Sequence, residues 1–319
     1  MDYLPHISNI LLAPLEYFSN PGSRVFGLYL ATSLLIALFL HLRESRHTGR
    51  AEGPVTDIFP KKVYTHRSAT VDYLYFITNT VLYAIILAPF TGLGVFVSTT
   101  LQHTLGLFLA PHIITELSPL WATIGFSIVM ALVADFGTFY AHYWMHRIPI
   151  LWEFHKVHHS AEVMTPITVF RMHPLDDVIT MLTIGVLAGC VDAVGRFFVT
   201  PNISQYTVYG LGVASYLFFL TGYHLRHSHI WLSYGPRLSK ILISPAQHQI
   251  HHSKAKPHWN KNYGFMFAIW DWMFGSLYIP QEREHLEFGI GNGEDSLYSS
   301  PLKLYLLPFK RAFELIRKP

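Results

Sequence analysis

An all-α bundle of membrane-crossing helices, with a histidine-rich cap on its cytoplasmic side, is the fold class this sequence predicts. Three observations carry the prediction. Of 319 residues, 51% are apolar and only 13% charged, about half the roughly 25% charge content of a soluble domain. Several apolar runs approach or exceed the ~20 residues that cross a bilayer as helix. Between and after these runs lie three histidine-dense stretches, His142-Tyr-Trp-Met-His146, His155-Lys-Val-His158-His159 and His248-Gln-Ile-His251-His252.

Met1 to Ser23 is broken by Pro5, Pro14 and Pro21-Gly22, and predicts a short interfacial helix or nothing regular. Val25 to Leu42 is the first apolar run. No small-residue cleavage site follows it, so it reads as a retained span rather than a signal peptide. A basic loop comes next, with Arg43, Arg46, Arg50, Lys61, Lys62 and Arg67 among the breakers Gly49, Gly53, Pro54 and Pro60. Tyr73 to Thr115 contains no Lys, Arg, Asp or Glu. Tyr73 to Val97 is predicted to cross with a kink at Pro89. Leu101 to Thr115, broken by Pro111, is predicted to be re-entrant or interfacial. Leu120 to Tyr140 is the next span, with Asp135 its only charge, and Pro149 separates it from the following helical segment. Val178 to Val199 and Tyr206 to Tyr223, flanking Thr200-Pro201-Asn202, predict a transmembrane hairpin. From His224 on, the chain is polar and aromatic. Its basic, partly apolar tail, Leu302 to Lys318, suits either a helix lying on headgroups or an ordinary surface helix. These breaks divide the chain into an N-terminal segment (1–70), a central domain (71–280) and a C-terminal tail (281–319).

Topology brings the histidines together. The excess of Lys and Arg places the loop after the first span in the cytoplasm. Following the predicted crossings, His142 to His159 and His224 to His252 both emerge on that side, at the membrane surface. On a helix, residues three and four apart share a face, so each stretch presents its imidazoles together. A lone His pair at this spacing is usually accidental. Three patterned stretches beside apolar segments, where stray polar groups are costly, point to metal.

Thiolates are not part of that site. The single cysteine, Cys190, sits among Ala188, Gly189 and Val191 and reads as a packing residue. Imidazole suits zinc, copper, iron and nickel. One tetrahedral zinc takes four ligands, whereas eight histidines can dress two ions and leave positions open. Asp135, seven residues before His142, shares its helix face. It is either a carboxylate orienting a ligand histidine or an intramembrane polar group facing another helix. A net charge of +3 from dispersed residues gives nucleic-acid binding little support. A zinc hydrolase would carry Glu inside the first His pair, where Tyr143 stands. A metal transporter would place its site near the bilayer midplane rather than at span ends.

Several motifs, in order, resemble the fatty acid hydroxylase / sterol desaturase superfamily. They are His142-x-x-x-His146, His155-x-x-His158-His159, Phe170-Arg-Met-His-Pro174, Ser244-Pro-Ala-Gln-His248-Gln-Ile-His251-His252-Ser253, Asn260-Lys-Asn-Tyr-Gly264 and Trp270-Asp-Trp-Met-Phe-Gly275. The resemblance covers roughly Val71 to Pro280. It implies an integral membrane enzyme with two non-haem iron ions, which uses O2 and external electrons to hydroxylate or desaturate a lipid. It further implies that His142, His146, His155, His158, His159, His248, His251 and His252 are metal ligands. His227 matches an intermediate His motif of the family, and His224 a second ligand of some relatives. His229 stands where Asn is commoner. His173 and Asp271 are implied as a ligand or an orienting group, and His173 reads equally as a capped turn before Pro174. His6, His41, His47, His66, His103, His112 and His258 read as incidental. With no haem-binding electron-transfer domain and no Gly-rich dinucleotide fingerprint in the chain, electrons are expected from a separate donor protein.

Overall fold

The computed structural model describes residues 14–48, 53–111, 114 and 117–317; His6 and His112, read as incidental, lie outside them. The long helices start where the sequence supplies a cap or a proline. We label them α1 (Gly27–Thr48), α2 (Arg67–Leu87), α3 (Leu93–Gly106), α4 (Pro119–Arg147), α5 (Pro149–His159), α6 (Pro174–Phe198), α7 (Val213–Leu220), α8 (Pro245–His251), α9 (Ile269–Met273) and α10 (Pro301–Arg317). His66, Ser118, His173 and Ser244 accept backbone N–H bonds at the starts of α2, α4, α6 and α8. Prolines occupy the first turn of α4, α5, α6 and α8, where the missing N–H costs nothing. Apart from the two-residue strands β1 (Thr207–Val208) and β2 (Leu211–Gly212), the described regular structure is helical.

Four stretches are long and apolar enough to cross a membrane: Gly27–Arg46, Ile85–Gly106, Pro119–Arg147 and Pro174–Phe198. The protein buries only 22% of the best window in each of the last two. Their outward faces expose Trp121, Ile128, Val129, Val186 and Val194, as a lipid-facing helix requires. Helix α6 is the centre of this layer. Helix α3 runs beside it in the same sense, with Gly94 at Gly185 and Gly106 at Phe197. Helix α4 runs in the opposite sense, with Gly137 at Ile184 and Phe126 at Gly195. Small residues set the spacing: a Cβ at Gly189 would stand 2.6 Å from the Gly94 carbonyl oxygen, so the backbones meet directly.

Two predicted spans differ. The helix through Tyr73 breaks at the 3-10 turn Ala88–Phe90, where Pro89 withholds a donor. The apolar window therefore runs from Ile85 to Gly106 rather than from Tyr73 to Val97, and it absorbs the start of the segment expected to be re-entrant. The second arm of the predicted hairpin is not a crossing helix. Residues 207–212 form an antiparallel ribbon whose tip, Tyr209 and Gly210, has φ of 50° and 81°. Helix α7 has eight residues, about 12 Å of rise, before Gly222 turns left-handed at φ 85°. The chain returns to the histidine end through this ribbon and short helix, packed on α1 and α4.

That end is locked by Arg171, 1% exposed. Its guanidinium pairs with Asp72 on α2 at 2.7 Å and donates to the Val157 carbonyl at 3.0 Å, the Ser160 hydroxyl at 2.9 Å and the Tyr298 carbonyl at 3.1 Å. One side chain thus ties the end of α5 to α2 and to the start of the C-terminal segment. Helix α10 turns Leu304, Pro308 and Ala312 inward and leaves Leu302, Leu306, Phe309, Phe313 and Ile316 exposed along one stripe. Replacing Arg171 with Ala strands the Asp72 carboxylate and should cost about 3–5 kcal/mol. Thermal unfolding in detergent checks this, and an unchanged midpoint would contradict the clamp.

Candidate metal centre

Nine imidazoles meet at the C-terminal end of α4 and the N-terminal end of α6. His142, His146, His155, His159 and His251 form one group, and His158, His227, His248 and His252 the other; within each group the ligand-capable atoms lie within 4.8 Å of one another. The two groups abut, with ring centroids 4.6 Å apart for His159 and His252 and 5.4 Å for His251 and His252. A helix turns about 100° per residue, so His155 and His159 project to one side of α5 and His158 to the other. Helix α8 repeats the pattern with the roles exchanged: His248 and His252 join the second group and His251 the first. Two H-x-x-H-H stretches therefore each serve both groups.

The nitrogens are arranged as donors waiting for a common partner. The Nε2 atoms of His142, His146, His155, His159 and His251 and the Nδ1 atoms of His158 and His248 are buried without a hydrogen bond. His248 Nε2 lies 3.0 Å from His227 Nε2 and 3.1 Å from His252 Nε2. Two nitrogens about 2.1 Å from one ion, at roughly a right angle, lie about 3.0 Å apart. The outward nitrogens are tied down. His142 Nδ1 donates to the Tyr263 carbonyl at 2.8 Å, His251 Nδ1 to the Lys261 carbonyl at 2.7 Å, and His155 Nδ1 to Asp176 at 3.2 Å. Such bonds fix the tautomer that leaves Nε2 as a lone-pair donor. Burial, reinforced by neighbouring imidazoles, holds His155, His159, His227, His248, His251 and His252 well below the ordinary imidazole pKa, and His158 at about 3. The histidines are neutral, which is the form that binds metal. On this donor set the residues fit a pair of metal ions.

The remaining predicted residues hold other positions. His224 lies outside both groups; its ring bonds to the Arg24 backbone, and its Nε2 is buried without a partner. His173 has both nitrogens engaged, Nδ1 by the Leu175 N–H at 3.1 Å and Nε2 by the Tyr305 carbonyl at 3.2 Å, so it caps α6. His229 Nε2 donates to the Asp57 carbonyl at 2.7 Å. Asp271 accepts from the Tyr263 and Gly264 N–H groups at 2.8 and 2.7 Å and from the Ser276 hydroxyl at 2.6 Å. Its pKa is pushed up to about 6 by burial. It touches no histidine, but it fixes the loop whose Tyr263 carbonyl orients His142. Asp135 corrects the expectation in the same way. Its carboxylate accepts from the Met266 and Phe267 N–H groups at 2.7 and 3.0 Å and from the Trp270 indole at 2.8 Å. Gly264 admits no Cβ, which would stand 2.7 Å from the Phe267 carbonyl oxygen. Asn260 and Asn262, at φ 59° and 58°, supply the left-handed turns that Asn tolerates.

Asp176 is the orienting carboxylate that sequence reasoning missed. It is fully buried and stands three residues after His173 in His-Pro-Leu-Asp, a signal legible only once that stretch is known to face α5.

The fold and this centre define a multi-pass helical membrane protein with a buried polyhistidine site. Residues 127–276, just under half of the chain, match the fatty acid hydroxylase family. It is 30% identical over 172 residues to the ornithine lipid hydroxylase OlsE of Rhizobium tropici, covering 52% of this chain and 46% of that one. To the alkylglycerol monooxygenase of Homo sapiens it is 28% identical over 159 residues, 50% of this chain and 32% of that one. To the Delta(7)-sterol 5(6)-desaturase ERG3A of Gibberella zeae it is 28% identical over 151 residues, 47% and 37% respectively. The chain thus spans less than half the length of these relatives. No solved structure matches it.

The buried neutral histidines have a consequence for stability. Folded, they resist a proton; unfolded, each takes one below the ordinary value of 6.5. Unfolding therefore takes up protons, and stability is complete above that value and lost as pH falls through it toward about 3. The unfolding midpoint of metal-stripped protein should be flat from about pH 8 to about pH 7 and fall steeply by about pH 5. A midpoint that holds or rises over that lower range would contradict the burial of uncharged imidazoles.

Proposed function

We propose that the chain is an iron- and oxygen-dependent membrane oxidoreductase that hydroxylates or desaturates a C–H bond of a lipid. The observation that carries this reading is the pair of adjoining imidazole groups, the first with five buried, unpartnered Nε2 atoms and the second with the Nε2 atoms of His227 and His252 about His248 Nε2. His142, His146, His155, His159 and His251 would hold one iron, and His158, His227, His248 and His252 the other, with His224 beside the second. Iron so held supplies an oxidant from O2 strong enough for an unactivated C–H bond. Neutral ligands suit that role because they leave the metal electron-poor, and Asp176 is hydrogen-bonded to one of them, His155.

The chain's own residues provide the rest. A cavity adjoins both groups, walled by His142, His155, His158, His227 and His248 and by the apolar Met145, Val169, Met172 and Phe265. Such walls exclude water and align an alkyl segment against the histidines. Lipids are also what the three relatives are named for: an ornithine lipid, an alkylglycerol and a sterol. Electrons would come from a separate donor protein. The catalytic domain is assigned to 71–280, flanked by the segment 1–70 and the tail 281–319. The basic loop after the first span would place the centre on the cytoplasmic side.

Three variants test this. His155→Ala or His251→Ala should abolish oxygen-dependent lipid oxidation in membranes while the protein still inserts. Asp176→Asn, which keeps the shape but loses the charge that orients His155, should reduce turnover or iron retention by about 10–100-fold. Comparing the lipids of cells with and without each variant reads the first outcome. Unchanged lipid oxidation in either histidine variant would refute the assignment.

A further inference from the structure

The cavity beside the histidines has a second, polar wall formed by Arg24, Asp177, Thr180, Tyr223 and Arg226. Arg24 is the odd member. Its side chain keeps 37% of its surface open, and it lines this cavity. Asp177, its carboxylate neighbour, is 3.9 Å away, and one terminal nitrogen meets only the Met172 thioether at 3.7 Å. A thioether is a weak acceptor, and a guanidinium carries several strong donors. Asp177 is held elsewhere, since its other oxygen accepts the Tyr83 hydroxyl at 2.5 Å. Arg226 is 2% exposed. It donates to the Phe265 carbonyl at 2.8 Å and lies over the rings of Phe218, Tyr223 and Phe265. The charged groups lining the cavity are therefore two guanidiniums against one carboxylate, beside neutral histidines. A half-buried cation with donors to spare suits an incoming anion, above all one that can accept two N–H bonds at once.

We infer that Arg24 anchors an anionic oxygen group of the substrate, a carboxylate or a phosphate ester, with Arg226 adding to the local positive field. This deepens the proposed lipid oxidation and rests on it. The substrate is then an acidic lipid whose charged group lies in the same cavity as the histidines, on its polar wall, while the alkyl segment meets Met145 and Val169. A neutral lipid of equal length would lack the group that Arg24 holds.

Binding, read without turnover, tests the inference. The probes are octanoate, octyl phosphate and octanol, added to the metal-free full chain in non-ionic detergent at neutral pH and followed by calorimetry. Wild type should bind at least one of the two anions ~10-fold or more tighter than octanol; which of them binds tighter tells a carboxylate from a phosphate. Arg24→Gln should erase that preference and leave octanol binding unchanged, and Arg24→Lys should keep part of it. Asp177→Asn, which removes the competing carboxylate, should tighten both anions by ~3-fold or more and serves as the test should Arg24→Gln fail to fold. Equal binding of anions and octanol by wild type, or an undiminished preference in folded Arg24→Gln, overturns the inference, as does weakened anion binding in Asp177→Asn. Lipid oxidation by the iron-loaded wild type is measured separately. Its absence with the anion preference intact would count against the oxidase reading and not against Arg24.

Discussion

The structure depends on one electrostatic constraint: nine imidazoles packed ring to ring, seven of them buried and His142 and His146 partly so. Each buried nitrogen without a partner costs free energy, and here seven such nitrogens are confined to one place. A protein keeps such an arrangement only if something compensates it. A pair of cations would do so, since the orphaned Nε2 lone pairs of His142, His146, His155, His159 and His251 would each become a bond. The surrounding structure follows from the need to hold the rings still while they face one another.

That holding is mostly done by backbone. Lys261 and Tyr263 present carbonyls to His251 and His142, and the loop that carries them is pinned from two sides by buried carboxylates. Asp135 reaches it from within the membrane layer through α4, and Asp271 from α9. Both carboxylates act at one remove, fixing the groups that fix the histidines. Arg171 plays the corresponding part for α5, closing the end of the helix that carries His155, His158 and His159. The membrane helices supply the base for this cap, with α6 delivering Asp176 to His155 at its first turn.

Much of this could be read from the sequence, because the period of a helix is a strong constraint. Spacings of three and four residues placed the imidazoles of each stretch together, and Pro149 marked the break between α4 and α5. Rotation around the helix explains what was not read. His158 leaves its neighbours on α5 and His251 leaves its neighbours on α8, a division that depends on which helix faces which. The ribbon at 207–212 escaped because its apolar composition resembles a span, while Gly210, Gly212 and Gly222 interrupt the helix. Asp135 was assigned by its face alone, and the loop amides it meets lie some 130 residues away along the chain. Arg24 carried no sequence signal, since its meaning comes from the cavity.

The central claim is a pair of irons held by the two imidazole groups, and metal counting with X-ray absorption on the purified protein tests it most directly. The account predicts two irons per chain in a nitrogen-rich shell, with loss of metal when a member of either group is replaced. Zinc in place of iron, or a full metal content that survives replacement of both His155 and His248, would contradict it.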